Sequence, residues 1–279
     1  MNAVLDERRG EGWKADLSLA FRSDGRRTIL AHRAHSGPLL VQRPFHPDAD
    51  VCHSYVIHPP GGVVGGDELR LSARVERGAH ALLTTPGATR CYRSGANRRA
   101  QLQQDLTVAG GALEWLPQET IVFDGADIRS STSVMLDRQS RFIGWEILCL
   151  GRPESAAPFR QGRVQLNLRL SLDATAVFLD RFRIGESGLA PLHAVWGMRG
   201  REAFGTMLAF PGNEECAAAI RDVCTPLVDA ATSVVDGVVH CRAAAAHGAS
   251  IRAHFVAVWR LLRPLVMHRP AVAPRIWAT

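Results

Sequence analysis

Val164-Gln-Leu-Asn-Leu-Arg-Leu-Ser-Leu172 decides the fold class. Every second residue is apolar and every other one is polar. Side chains alternate between the two faces of a strand, so this pattern describes a strand with one greasy face and one wet face. The same period of two runs through Trp13, Ala15, Leu17, Leu19 and Phe21, and through Leu69, Leu71, Ala73 and Val75. Turn signals punctuate these runs: Ser23-Asp24-Gly25, Pro59-Pro60-Gly61-Gly62, Pro86-Gly87, Gly110-Gly111 and Asp124-Gly125. From Trp13 to Ile184 roughly a dozen strands are expected, with no helix between them. A sandwich, a barrel and a stacked β-solenoid all fit, and no fixed repeat length marks a regular solenoid.

After Gly188 the pattern changes. Ala203 to Phe210 reads as a strand. Asn213 caps a helix expected to run to about Leu227, with Glu214 and Glu215 favourably placed in its first turn. Ser233 to Ala244 reads as one strand. A second helix starts at Gly248 or Ser250 and carries Ile251, Phe255, Val258, Trp259 and Leu262 on one face until Pro264 stops it. The expectation is a mainly β chain: a large multi-strand β body over 13–200, then a small strand–helix–strand–helix unit over 201–265. A flexible N-terminus over 1–12 precedes a single domain covering 13–279, which ends in a tail over 266–279.

The bulk numbers exclude several classes. The chain has 279 residues and is 46% hydrophobic, enough for a sizeable core. Its net charge of +6 comes from 33 basic residues against 27 acids, scattered and without a basic run. Lys14 is the only lysine, and arginine pairs readily with carboxylates, so no nucleic-acid partner is expected. No stretch is long and apolar enough to span a membrane, and the polar start lacks a signal-peptide core. The six cysteines form no C-x-x-C, so reduced thiols and a cytoplasmic location are expected.

Glu146 stands out. It lies in Arg141-Phe-Ile-Gly-Trp-Glu-Ile-Leu-Cys149, otherwise apolar enough for a strand covered on both faces. A carboxylate there must be paired, hydrogen-bonded, bound to a cation or protonated. Asp180 shares a strand side with Phe178, Phe182 and Ile184, and Glu119 shares one with Ile121 and Phe123. Two readings stay open for these acids. One is ion pairing, for Glu146 with Arg152 or Arg181. The other is a file of weak oxygen ligands that a divalent cation can enter and leave.

The remaining motifs are weaker. His58-Pro-Pro-Gly-Gly-Val-Val-Gly-Gly-Asp67 lacks the Gly-Lys-Ser/Thr of a phosphate loop and precedes a strand, so it reads as a tight turn needing positive φ. Asp67 at its end is a candidate surface or channel carboxylate. The histidines show no zinc spacing.

Several of these stretches together resemble the urease accessory proteins called UreD or UreH. They are Gly37-Pro-Leu-Leu-Val-Gln-Arg-Pro-Phe45, the His58–Asp67 loop, Thr84-Thr-Pro-Gly-Ala-Thr-Arg-Cys-Tyr-Arg-Ser94, the block from Leu113 to Ala126, the block from Gly144 to Pro153, and the ending Pro274-Arg-Ile-Trp-Ala-Thr279. The resemblance runs from Trp13 to the last residue. It implies a mainly β, non-enzymatic scaffold for nickel insertion, with no permanently bound cofactor and nickel in transit. The implied partners are apo-urease, UreF and the GTPase UreG, assembled as a dimer of heterotrimers. It also implies an internal nickel path at Glu146, Asp180 and Asp67, with Glu119 a further candidate. Ser155-Ala156-Ala157 departs from the family pattern by lacking a usual glutamate. Phe255, Trp259 and Trp277, on the C-terminal helices and tail, are the candidate partner surface. The rivals are an all-β carbohydrate-active hydrolase with two working carboxylates, and a passive β adaptor with no metal path.

Overall fold

The computed structural model describes residues 12–95, 98–185 and 188–278, so all but the last residue of the expected flexible N-terminus lies outside the described residues. In chain order the body comprises β1 (Lys14–Ser23), β2 (Thr28–Ser36), β3 (Leu40–Val41), β4 (Phe45–Asp48), β5 (Val51–Ile57), β6 (Glu68–Val75), β7 (His80–Thr84), β8 (Thr89–Cys91), β9 (Ala100–Val108), β10 (Ala112–Leu116), β11 (Thr120–Val122), β12 (Asp127–Leu136), β13 (Arg141–Leu150), β14 (Arg163–Leu172) and β15 (Thr175–Ile184). After the short helix α1 (Ala190–His193) come β16 (Ala203–Phe210), α2 (Glu214–Arg221), β17 (Val228–Val235), β18 (Val238–Ala245) and α3 (Gly248–Leu262).

These strands form two sheets. The 7-stranded sheet has the order β15-β14-β12-β9-β6-β1-β2, and the 11-stranded sheet runs β17-β18-β16-β13-β10-β7-β5-β3, with β4, β8 and β11 attached at its sides. The chain alternates between them: β6, β9 and β12 stack in parallel in the first, and β7, β10 and β13 in the second. That is a β-solenoid, the third of the architectures the alternation allowed. Its coils differ in length, because β8 and β11 interrupt two of them, so no constant repeat is visible in the sequence.

One core fills the space between the sheets and contains Leu71, Leu106, Val134, Phe142, Leu148 and Leu170. A second lies on the outer face of the larger sheet, where Ile143, Trp145 and Ile147 meet Ile251, Phe255, Val258, Trp259 and Leu262 of α3. Strand β13 is therefore covered on both faces, as its composition demanded.

The C-terminal part differs from the expected strand–helix–strand–helix unit in two ways. The single strand expected from Ser233 to Ala244 is a hairpin, β17 and β18, turning at Asp236-Gly237 with φ of 50° and 76°. Asp-Gly between apolar runs is a strong hairpin signal. Helix α2 starts at its Asn213 cap, whose side chain accepts from Cys216 N at 3.0 Å, but ends at Arg221 and not near Leu227. Pro226 disfavours helical backbone at the residue before it. Strand β16 pairs antiparallel with β13, so these strands extend the larger sheet. At the C-terminal end of α3 a π-type turn, Arg263–Met267, carries the chain through Pro264.

Candidate functional site

Strand register assembles the site. Across the first sheet, Leu71, Gln104, Thr132, Leu168 and Asp180 occupy one transverse row. In the rows beside it the same inward positions are mostly apolar; here three of the five are polar. Across the second sheet, Glu146, Thr206 and Arg242 form another row. The two rows face each other. Thr132 Oγ1 lies 2.9 Å from Gln104 Oε1 and also hydrogen-bonds Glu146 Oε1. Thr206 Oγ1 donates to Asp180 Oδ2 at 3.2 Å, and Arg242 Nη2 sits 2.8 Å from Asp180 Oδ1.

Glu146 pairs with neither Arg152 nor Arg181, and among the described residues no arginine forms a salt bridge with it. Its carboxyl is held by one hydroxyl and lies near Asp180. Burial pushes it up to about 7; Asp180 adds to the rise and the Thr132 bond opposes it. A hydroxyl has one proton, so Thr132 donates to only one of its two oxygen neighbours.

Both acids open onto a cavity of about 370 Å³ between the sheets. Its polar lining includes Gln103, Gln104, Gln118, Thr120, Glu146 and Asp180. The far end lies among the turns after β5 and β7, at exposed Gly61, Pro86, Gly87 and Arg90. The glycine-rich loop is the tight turn expected: Gly61 has φ of 80° and Gly66 of 98°. A Cβ on Gly62 would lie 2.1 Å from the Tyr92 ring, so only glycine fits beneath it. His58 also lines the cavity, and its Nε2 is buried without a partner among the described residues.

The other candidates sit elsewhere. Asp67 is 1% exposed and does not line this cavity. Its two oxygens accept the backbone N–H groups of Trp13 and Val64, both at 2.8 Å, which closes the glycine loop on the first strand. Glu119 is outside as well, because alternation turns Thr120 inward and Glu119 toward α3, where Arg252 Nε lies 3.7 Å away. Phe255 and Trp259, expected as partner surface, lie on the inner face of α3 and are fully buried against the larger sheet. Trp277 packs on Trp145 and Trp259, with ring centroids at 5.8 and 5.6 Å, and donates to Thr84 Oγ1. Among the described residues the most exposed large apolar side chains are Val195, Trp196 and Leu227.

Sequence reasoning also passed over Glu114, in the centre of β10 and 0% exposed. It accepts from His80 Nε2 at 2.8 Å, Trp259 Nε1 at 2.6 Å and Arg263 Nε at 3.0 Å. Arg263 reaches on to Asp48 and to the Pro270 carbonyl.

No group of three or more His, Cys, Asp or Glu among the described residues could hold a metal ion. Cys52, Cys91, Cys216, Cys224 and Cys241 are free thiols. No helix among the described residues is long and apolar enough to cross a membrane. Fold and cavity together define a class: a β-solenoid scaffold with an acid-bearing internal cavity.

The family model described as UreD urease accessory protein matches residues 14–278, and the chain belongs to that family. Relatives similar to it are each named urease accessory protein UreD. One from Dechloromonas aromatica is 42% identical over 275 residues, covering 96% of this chain and 95% of its own. One from Alcanivorax borkumensis is 39% identical, with 97% and 94% covered. One from Klebsiella aerogenes is 39% identical, with 96% and 98% covered. Membership makes this a non-catalytic accessory protein of urease maturation, and the carbohydrate-hydrolase alternative falls away.

Proposed function

We propose that this chain is a scaffold of urease maturation that passes nickel, as cargo, through its internal cavity toward apo-urease, working with UreF and the GTPase UreG. The reading rests on one observation above others: Glu146, held by a single hydroxyl and with no arginine beside it among the described residues, lines an internal cavity between the sheets. A buried acid with no cation beside it is costly to ionise, so a divalent ion arriving there supplies the missing charge and displaces the proton. Asp180 is the second oxygen site. Weak, separated ligands suit an ion that must leave again.

Arg242 on Asp180 favours the passive-adaptor alternative for that one carboxylate, since a guanidinium already neutralises it. The path therefore uses Glu146 as its essential site, and Asp180 once Arg242 swings aside. Asp67 and Glu119 contribute through the loop and the helix they hold, not as cavity-wall ligands. Partner contacts fall to exposed side chains such as Val195 and Trp196.

The test is co-expression of urease with its accessory proteins, comparing the native chain with Glu146→Gln. The expected result is retained partner capture with loss of most urease activation at limiting nickel. Full activation by a Glu146→Gln, Asp180→Asn double variant would leave the adaptor reading standing and remove the path.

A further inference from the structure

A second concavity shares no lining residue with the acid-bearing cavity. It is a groove of about 560 Å³ at the open seam where β2, the edge of the smaller sheet, faces the connection from β3 to β4 in the larger one. Its floor has apolar Leu30 and Pro44; Ile29, paired with exposed Arg22, borders it from the outer face of β2, and Arg27, Arg33, Arg43 and His46 line the rest. Among the described residues β2 pairs with β1 alone, and Ala31 to Ser36 are exposed. Thr28 at its start is already taken, its N–H by the Asp50 carbonyl at 2.9 Å and its carbonyl by His46, but the edge beyond it offers a row of backbone donors and acceptors to an added strand. Leu30 lies opposite Phe21 and Arg33 opposite Leu19, both core residues, so this side of β2 looks across the seam toward Arg43.

Among the described residues the rim has no carboxylate of its own. Asp24 is turned back on its own turn, accepting the Arg26 and Arg27 amides at 2.9 and 2.8 Å. Asp48 is bound to Arg263, and Asp50 to Arg269 at 2.6 Å. His46 Nε2 is held by the Thr28 carbonyl at 2.7 Å. Charges on an edge strand often serve only to repel other strands. Here the arginines come from the turn before β2, from β2 itself and from the β3–β4 connection, and all three line one concavity beside Leu30 and Pro44, which a repelling edge does not require. Like charges gathered in a concavity repel one another and raise the local affinity for the opposite sign.

We propose that this groove takes an extended acidic segment of a partner protein, which adds as a strand to β2 and sets its carboxylates against Arg27, Arg33 and Arg43. An apolar floor and a free strand edge favour a peptide over a nucleic acid, whose phosphates use neither. The proposal stands apart from the nickel path, since the two regions share no residue.

The test uses the full chain and a fluorescein-labelled peptide of alternating Glu and Val, with a Gln-Val peptide and oligo-dT as comparison ligands. Binding is read by anisotropy at low and raised salt, and amide hydrogen exchange is followed over residues 29–36. The expected result is salt-sensitive binding of the Glu-Val peptide only, slowed exchange along β2, and at least about tenfold weaker binding by an Arg27→Glu, Arg33→Glu, Arg43→Glu variant. If that variant does not fold, the exposed single change Arg33→Glu carries the comparison. Absence of binding, binding without protection of β2, or oligo-dT bound as tightly through the same arginines would each overturn the proposal.

Discussion

Glu114 and Glu146 sit on neighbouring parallel strands of one sheet, β10 and β13, and the molecule treats them in opposite ways. Glu114 points to the outer core and is enclosed. An imidazole, an indole N–H and a guanidinium meet its two oxygens, and although burial alone would raise it, these partners hold it below the usual carboxylate range. Glu146 points between the sheets, has one hydroxyl and a second acid nearby, and is pushed up to about 7 beside a cavity. The same side chain in the same sheet is a structural anchor where cations surround it and a candidate ligand where they do not. Burial of an acid therefore says little about function until its partners are counted.

The sharpest way to break this contrast is Glu114→Ala. It strands Arg263, Trp259 and His80 in the core, and a loss of about 3–5 kcal/mol is expected in urea denaturation. If the loss is below about 1 kcal/mol, the anchoring role is wrong.

Glu146→Gln should act with the opposite sign. The carboxyl is raised from 4.5 unfolded to about 7 folded, so between those values the folded state binds the extra proton and native stability falls as pH rises. The glutamine variant should lack that fall and be more stable than the native chain at pH 8 by about 3 kcal/mol. Stability curves against pH that superimpose for the two proteins would mean that Glu146 is not desolvated.

A smaller effect is expected for Trp259→Phe, which keeps an aromatic side chain but removes part of the indole and one donor to Glu114. About 1–2 kcal/mol should be lost, with urease activation unaffected. Smallest is Arg242→Ala. Its guanidinium is 56% exposed, so its pair with Asp180 contributes about 0–1 kcal/mol. If nickel uses Asp180, this variant should activate urease at lower nickel concentrations than the native chain, and unchanged nickel dependence would place Asp180 outside the path.

Much of the architecture was legible because strands carry a period of two that burial enforces. Strand β14 was expected as Val164 to Leu172 and is found as Arg163–Leu172, and β16 was expected and found over Ala203–Phe210. The hairpin β17–β18 was missed although Asp236-Gly237 announces it, because the apolar runs on either side join into one pattern. Of the site, Glu146 and Asp180 were found as acids out of place among apolar neighbours. Gln104 and Thr132 carried the same signal more faintly, as polar residues on the inward phase of β9 and β12. Phe255 and Trp259 were misplaced because an amphipathic helix face looks the same whether it meets a partner or its own sheet.

By itself the sequence determined which residues alternate, where the chain turns, and that a few carboxylates had to find company indoors, since these follow from local geometry and the cost of burying charge. Only the tertiary structure decided which company each one found. Register across four strands, β9, β12, β14 and β15, brings Gln104, Thr132 and Asp180 into one row opposite Glu146, while the end of α3 carries Arg263 to Glu114 from 149 positions away. Such pairings depend on how separate strands and helices stack, and no local pattern in the chain encodes that distance.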